Sequence, residues 1–319
     1  MEMTKLSIVV ATYNSSDTVQ RCIDSVLMQN FKNWELLIVD DGSTDDTQKI
    51  VGEYLNNANI FYYFIEHKGV SAARNFGLNH AKGEYVVFCD SDDEYPENAF
   101  ATMLDRFDKD ADFIVFGTKI VNCNDKYPMK NIIPKDIKYT ENLEHALYYE
   151  IGARPFVWNC CYKKEFLKKV SLSFNETINL GEDHIFQFKA FLSASCVKFV
   201  PDVCYVHYNC RPNSCMMYYK EHPVERIEKH FEIISLIYDF YQEKSIPVSD
   251  DYYKWVLRFV FPNFMVLCSQ NRKKIQLKAK KAITHIKPTK NLPFKYKMKF
   301  LIIKSAILQS IYRFSKNIE

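Results

Sequence analysis

No apolar stretch in the 319 residues reaches the roughly 18–20 that a membrane-spanning helix needs, so no span is expected. Glycine is scarce, eight in all. The chain has neither the glycine spacing of a dinucleotide fingerprint nor a phosphate-cradling Walker sequence. Its ten cysteines follow no metal spacing, and Cys160 and Cys161 are adjacent. Adjacent cysteines suit neither a zinc site nor an ordinary disulfide, so reduced thiols in a cytosolic core are expected. Met1–Lys5 leads straight into a strand-like run, and no signal peptide is read there. Repeats, low-complexity tracts and a recognised nucleic-acid module are missing too. What is present is a folded globular composition, 47% hydrophobic and 25% charged, rich in Tyr and Phe.

The net charge of +3 hides a split. From Asn271 to Glu319 fourteen lysines and arginines face one acid, so this tail carries +13 and the rest of the chain −10. The lysines interleave with Phe300, Leu301, Ile302, Ile303, Ala306, Ile307, Ile311 and Phe314. That is the composition of a helix lying on an anionic membrane face. The competing reading is a basic face on a helical bundle packed against the acidic remainder.

Over the first 116 residues short apolar runs alternate with amphipathic stretches. Strands are expected at Leu6–Ala11, Glu35–Val39, Ile60–Ile65, Glu84–Cys89 and Phe113–Phe116. Helices are expected at Thr18–Met28, after Thr44 or Asp45, at Ser71–His80 and at Pro96–Phe107. This order predicts an α/β fold: a mostly parallel sheet with helices on both faces. Lys119–Pro155 is irregular. Further on, Trp158–Tyr162 is strand-like, a helix runs from Gly181 to about Ser195, and Val197–Val200 and Cys204–Tyr208 read as two short strands. From about Glu221 the chain is helical, with Pro247, Pro262, Pro288 and Pro293 as breaks.

The chemistry-bearing residues cluster where strands end. Thr12-Tyr13-Asn14 follows the first strand, Asp40-Asp41 the second and Asp90-Ser91-Asp92 the fourth. In an open parallel sheet, ligands bind beyond the carboxyl ends of the strands, so these loops should share one crevice. Four carboxylates within Asp90–Glu94 repel one another unless a cation or solvent relieves them. Hard oxygen ligands suit Mg²⁺ or Mn²⁺. A solvated turn and a phosphohydrolase with Asp90 as nucleophile stay open for that run taken alone. Asp40 is either part of a helix cap or an acceptor for a base edge, and Tyr13 is either structural or a stacking ring. In Lys68–Asn75 small residues open a helix, and Arg74 is placed to reach a phosphate or ribose. Asp183, with Glu182 before it, is a helix cap or a general base. Arg211 and Ser214 are phosphate-binding residue types on a loop.

Taken in order, these segments resemble a family 2 glycosyltransferase of the GT-A fold. The residues that carry the likeness are ATYN at 11–14, DDGSTDDT at 40–47, GVSAARNFGL at 69–78, GEYVVFCDSDDEYP at 83–96 and GEDHIF at 181–186. The resemblance implies an inverting enzyme of bacterial polysaccharide or lipopolysaccharide synthesis. Its donor is a nucleotide sugar, a UDP-sugar by family habit, and its acceptor a glycan or lipid-linked hydroxyl. Its donor site would comprise Ala11, Thr12, Tyr13, Asp40, Lys68, Arg74, Asp90, Ser91, Arg211 and Ser214. Asp92, with Asp90, would hold Mn²⁺ or Mg²⁺. Asp183 would be the base, supported by Glu182. Ala11 stands where proline is usual, and Asn209-Cys210-Arg211 replaces an aromatic-arginine pair. A catalytic domain at 1–217 and a helical basic region at 218–319 are expected. The expected location is the cytoplasm, on the inner face of the membrane, with no nucleic-acid partner. A nucleotide-sugar-binding protein of the same fold without catalysis is the alternative.

Overall fold

The computed structural model describes residues 5–122, 129–149, 156–209, 218, 221–269 and 292–305. The chain divides into two compact units, Met1–Ser214 and Cys215–Glu319. In the first unit nine strands form one sheet. They are β1 (Leu6–Thr12), β2 (Trp34–Asp40), β3 (Ile60–Phe64), β4 (Tyr85–Asp90), β5 (Phe113–Asn122), β6 (Lys130–Ile132), β7 (Ile137–Tyr139), β8 (Cys160–Lys163) and β9 (Val197–Asn209). The helices are α1 (Val19–Leu27), α2 (Thr47–Gly52), α3 (Val70–His80), α4 (Ala99–Asp105), α5 (Leu143–Tyr149), α6 (Lys164–Lys169) and α7 (Glu182–Ser193).

The sheet order is β3-β2-β1-β4-β8-β5-β9-β7, with β6 beside β5. The first four strands are parallel, as the β-α-β-α pattern predicts. Downstream the sheet is mixed: β8 runs antiparallel between β4 and β5, while β9 is parallel to β5. The two short strands expected at 197–208 are one strand. Its register against β5 shifts on either side of Gly117, and that irregularity absorbs Pro201 and Asp202. The helix expected from Pro96 starts at Ala99.

Strand alternation decides which side chain meets which helix. Leu6, Ile8 and Val10 of β1 face α1 and α4, packing with Cys22, Ile23, Val26, Phe100 and Met103. The α1 residues recur at helical spacing, which is why this helix buries one stripe. On the other face Ala11 and Val39 pack with Ala73 of α3. Phe88 of β4 meets Phe186 of α7 and Phe174 on that same side. Asp90, two residues beyond Phe88, therefore projects towards α3 and α7.

The second unit contains α8 (Pro223–Glu243), α9 (Asp250–Ser269) and α10 (Phe294–Lys304). Tyr252 of α9 donates to the Ile234 carbonyl of α8, and Arg258 Nε donates to the Tyr296 hydroxyl of α10. Part of the tail's apolar pattern is spent inside this unit, since Tyr296, Phe300 and Ile303 are buried. Phe294, at 76%, and Leu301 stay exposed beside the lysines of α10. The tail residues 270–291 and 306–319, with Ala306, Ile307, Ile311 and Phe314, lie outside the described residues.

Candidate functional site

The register of the parallel strands aligns their carboxyl ends. Thr12 lies opposite Asp40, and Ala11 lies opposite both Val39 and Asp90. Two sequence motifs fifty residues apart thus become neighbours across β1. Loop contacts draw them tighter. Asn14 N–H donates to Ser43 Oγ, Ser15 N–H to Thr47 Oγ1, and Ser15 and Ser91 share a hydrogen bond of 2.8 Å between their hydroxyls. Thr12 is buried, and its hydroxyl has no partner among the described residues.

Asp40 is fully buried, yet each carboxylate oxygen is satisfied. Ser43 N–H donates to Oδ1 at 2.7 Å and the Tyr62 hydroxyl to Oδ2 at 2.7 Å. Burial, with Asp40 next to it, pushes the Tyr62 phenol up, so it remains a donor. A carboxylate oxygen accepts more than one hydrogen bond, so capacity for a ligand N–H remains. Asp41 plays a different part. Its two oxygens take the backbone N–H groups of Lys68 and Gly69, each at 2.8 Å, and thereby fasten the start of α3. Gly42 between these loops has φ +78°, and an added Cβ would stand 3.1 Å from the His67 nitrogen. Only glycine accepts both conditions without strain. The Lys68 ammonium lies outward, 3.4 Å from Glu66.

Arg74 is the hub of the site and is only 4% exposed. One terminal nitrogen donates to Asp90 Oδ1 at 2.8 Å. The other donates to Glu182 Oε1 at 3.0 Å and Asp183 Oδ1 at 2.7 Å. The guanidinium also lies over the Phe174 ring. Both terminal nitrogens are thus spent on carboxylates of β4 and α7. The sequence expectation aimed Arg74 at a phosphate or ribose, because partners 16 and 109 residues away are not visible in a motif. Three carboxylates around one guanidinium leave surplus negative charge. Burial pushes the Asp183 carboxyl well up, Arg74 draws it down, and the charges of Glu182 and Asp90 push it up again. A raised carboxyl in a polar crevice is what a proton-accepting group requires near neutral pH. Gly181 supplies the left-handed turn, φ +78°, that starts α7 with Glu182 and Asp183 in its first turn.

Asp90, Asp92 and Asp93 each offer an oxygen within 4.8 Å of the others. Asp93 is already committed. It is fully buried and accepts hydrogen bonds from the Tyr205 hydroxyl at 2.8 Å and Tyr208 N–H at 2.8 Å, and its Oδ2 lies 2.9 Å from His207 Nδ1. Trp158 stacks on both the Tyr205 and His207 rings. Asp93 therefore pins the acidic turn to β9, while Asp90 and Asp92 are only half-buried. The donor set fits a hard divalent cation on Asp92 and Asp90. Among the sequence candidates, Ala11, Thr12, Asp40, Arg74, Asp90, Ser91, Asp92, Glu182 and Asp183 gather at this end of the sheet. Arg211 and Ser214 lie outside the described residues. Sequence reasoning missed Asp41, Asp93, Tyr205 and His207 as organisers. The two aspartates and His207 stood inside singled-out segments, but only the fold reveals their partners.

A family model described as glycosyl transferase family 2 matches residues 7–170. The chain is 29% identical over 247 residues to the uncharacterised glycosyltransferase EpsJ of Bacillus subtilis, covering 74% of this chain and 70% of that one. It is 28% identical to the poly(ribitol-phosphate) beta-N-acetylglucosaminyltransferase TarS of Staphylococcus aureus, over 74% of this chain but 40% of that protein. A solved structure of residues 1–349 of S. aureus TarS with UDP superimposes with a TM-score of 0.59 at 27% identity, covering 73% of this chain and 64% of that one. Against TarS the chain thus spans less than two thirds of its relative's length.

Proposed function

The chain belongs to glycosyl transferase family 2, and we propose that it transfers a sugar, with inversion, from a UDP-sugar to a hydroxyl of a glycan or lipid-linked acceptor in cell-surface polysaccharide synthesis. The observation that carries this reading is the single cluster joining Asp90, at the end of β4, through Arg74 to Glu182 and Asp183 at the start of α7. Donor and acceptor chemistry need such neighbouring carboxylates with different tasks. The similarity to a TarS structure solved with UDP supports the choice of UDP.

Asp183 takes the proton of the acceptor hydroxyl as its oxygen bonds to the anomeric carbon. The attack comes from the side opposite the diphosphate, so the carbon–oxygen bond to the diphosphate breaks there and UDP leaves with that electron pair. One carboxylate base suffices for inversion. Asp92 and Asp90 would hold Mn²⁺ or Mg²⁺, which when bound supplies positive charge beside the departing diphosphate. Asp40 accepts from the base edge, Tyr13 offers it a ring, and Ala11, Thr12 and Ser91 line the donor side, with Arg211 and Ser214 as phosphate-binding residue types for the diphosphate. Arg74 acts on the donor side through Asp90 while holding Asp183 towards the acceptor. The basic tail, with exposed Phe294 and Leu301 on α10, suits an anionic membrane surface where a lipid-linked acceptor would lie.

Two variants test the assignment. Asp183→Asn is expected to bind UDP normally in calorimetry and to lose transfer by about 10²–10⁴-fold. Asp92→Ala is expected to abolish transfer and metal-dependent UDP binding. Normal turnover in either variant removes the role given to that residue. A thermal-shift panel of nucleotide sugars with Mn²⁺ identifies the donor, since ligand binding to the folded state raises its melting temperature.

A further inference from the structure

We propose that His67 is a positioning residue of the donor site: it backs the Tyr13 ring, so that this ring is already oriented when the nucleobase arrives. The inference rests on the donor-site reading above and adds a residue to it. The His67 and Tyr13 rings stack with centroids 4.4 Å apart and planes 26° apart. That spacing is ordinary ring stacking and leaves no room for a base between them. The base therefore meets Tyr13 on the side away from His67, and Tyr13 is 41% exposed.

His67 is itself held from beneath. Its Nδ1 lies 2.9 Å from the Asp41 carbonyl oxygen and 2.8 Å from Asp41 Oδ2. Asp41 is buried and fixed by the N–H groups of Lys68 and Gly69. The His67 backbone packs against Gly42 so closely that even a Cβ there would crowd it. The turn after β2 thus serves the base subsite twice. Asp40 faces the base edge, and Asp41 fixes the histidine under the stacking ring. An exposed tyrosine normally loses rotamer freedom when a ligand orders it. The contact chain from Asp41 through His67 to Tyr13 removes that loss in advance, which is how a preorganised site gains affinity. Stacking accepts any base, so His67 governs how tightly the nucleotide binds rather than which one.

The test is calorimetry of the full chain with UDP and Mn²⁺. His67→Ala is expected to weaken UDP binding about three- to tenfold, and His67→Phe, which keeps a stacking ring, to restore most of it. In a Tyr13→Ala background, His67→Ala is expected to add no further loss, because it acts through that ring. His67 is more than half exposed, so equal melting temperatures can be checked for every variant. Wild-type affinity in His67→Ala overturns the inference. So does a His67→Phe as weak as His67→Ala, or an undiminished effect of His67→Ala when Tyr13 is absent. If the wild-type protein binds no UDP, the donor-site reading falls and this inference with it. Tight wild-type binding that ignores His67 removes only the histidine.

Discussion

Asp183 owes its raised proton affinity first to burial and then to the carboxylates beside it, against the pull of Arg74. Glu182 shares the same guanidinium nitrogen, and its charge raises the Asp183 carboxyl. A base works when deprotonated, so activity is present above its pKa and is lost as pH falls through it. Raising that pKa moves the acid limb of the kcat profile to higher pH. Glu182→Gln takes away one raising charge, so the acid limb is expected to move to lower pH; a profile measured at saturating donor reads the shift. An unmoved or upward-shifted limb would mean that Glu182 does not act on the base. Much of this site was legible before any fold was known, because Asp40, Asp90, Asp92 and Asp183 stand in short local motifs. Their partners were not. Arg74 meets Glu182 and Asp183 across more than a hundred residues, and Asp93 meets Tyr205 and His207 across a similar gap. Residue type announces that a group can ionise, while only the fold states what neutralises it.

At the scale of elements, helix α3 is set by its contact with β1. A Cβ at Gly77 would lie 2.4 Å from Val9 Cγ1, in a part of the core where Val9 is fully buried. Gly77→Ala gains about 1 kcal/mol of helix propensity, but the clash forces a shift that costs about 1–3 kcal/mol. A net loss of stability is expected in urea unfolding, and the additional substitution Val9→Ala should relieve the overpacking part. Any such shift also moves Arg74, one turn earlier on the same helix. The apolar periods located α1, α3 and the first four strands within a residue or two. The later elements were less readable. β9 bends around Gly117, so its pattern looks like two strands, and β6 and β7 are three residues each with little alternation to detect.

The whole molecule is electrically lopsided, with +13 in its last 49 residues and −10 elsewhere. Each lysine close to an anionic leaflet contributes about 1 kcal/mol at low salt. Full-length protein is therefore expected to sediment with phosphatidylglycerol vesicles at low salt, to leave them at about 0.5 M salt as screening shortens to a few ångströms, and to ignore neutral vesicles. Equal sedimentation of a chain ending at residue 270 would sink the membrane role of the tail. Among the described residues no helix is long and apolar enough to cross a membrane.

The place of β8 has a consequence for how the chain is made. Synthesis delivers β4 and then β5, but the strand that belongs between them, β8, emerges about forty residues after β5. The sheet cannot close in the order of its synthesis. Until residue 163 leaves the ribosome, the inner edge of β4 and the β5 residues Phe113–Val115 that β8 covers stay unpaired, and such edges recruit other strands. The acidic turn is completed later still, when β9 brings Tyr205 and His207 to Asp93. A nascent chain stalled near residue 155 would carry its donor motifs on an open, association-prone half-sheet. The last quarter of the first unit thus supplies both the strand that joins β4 to β5 and the partners of Asp93.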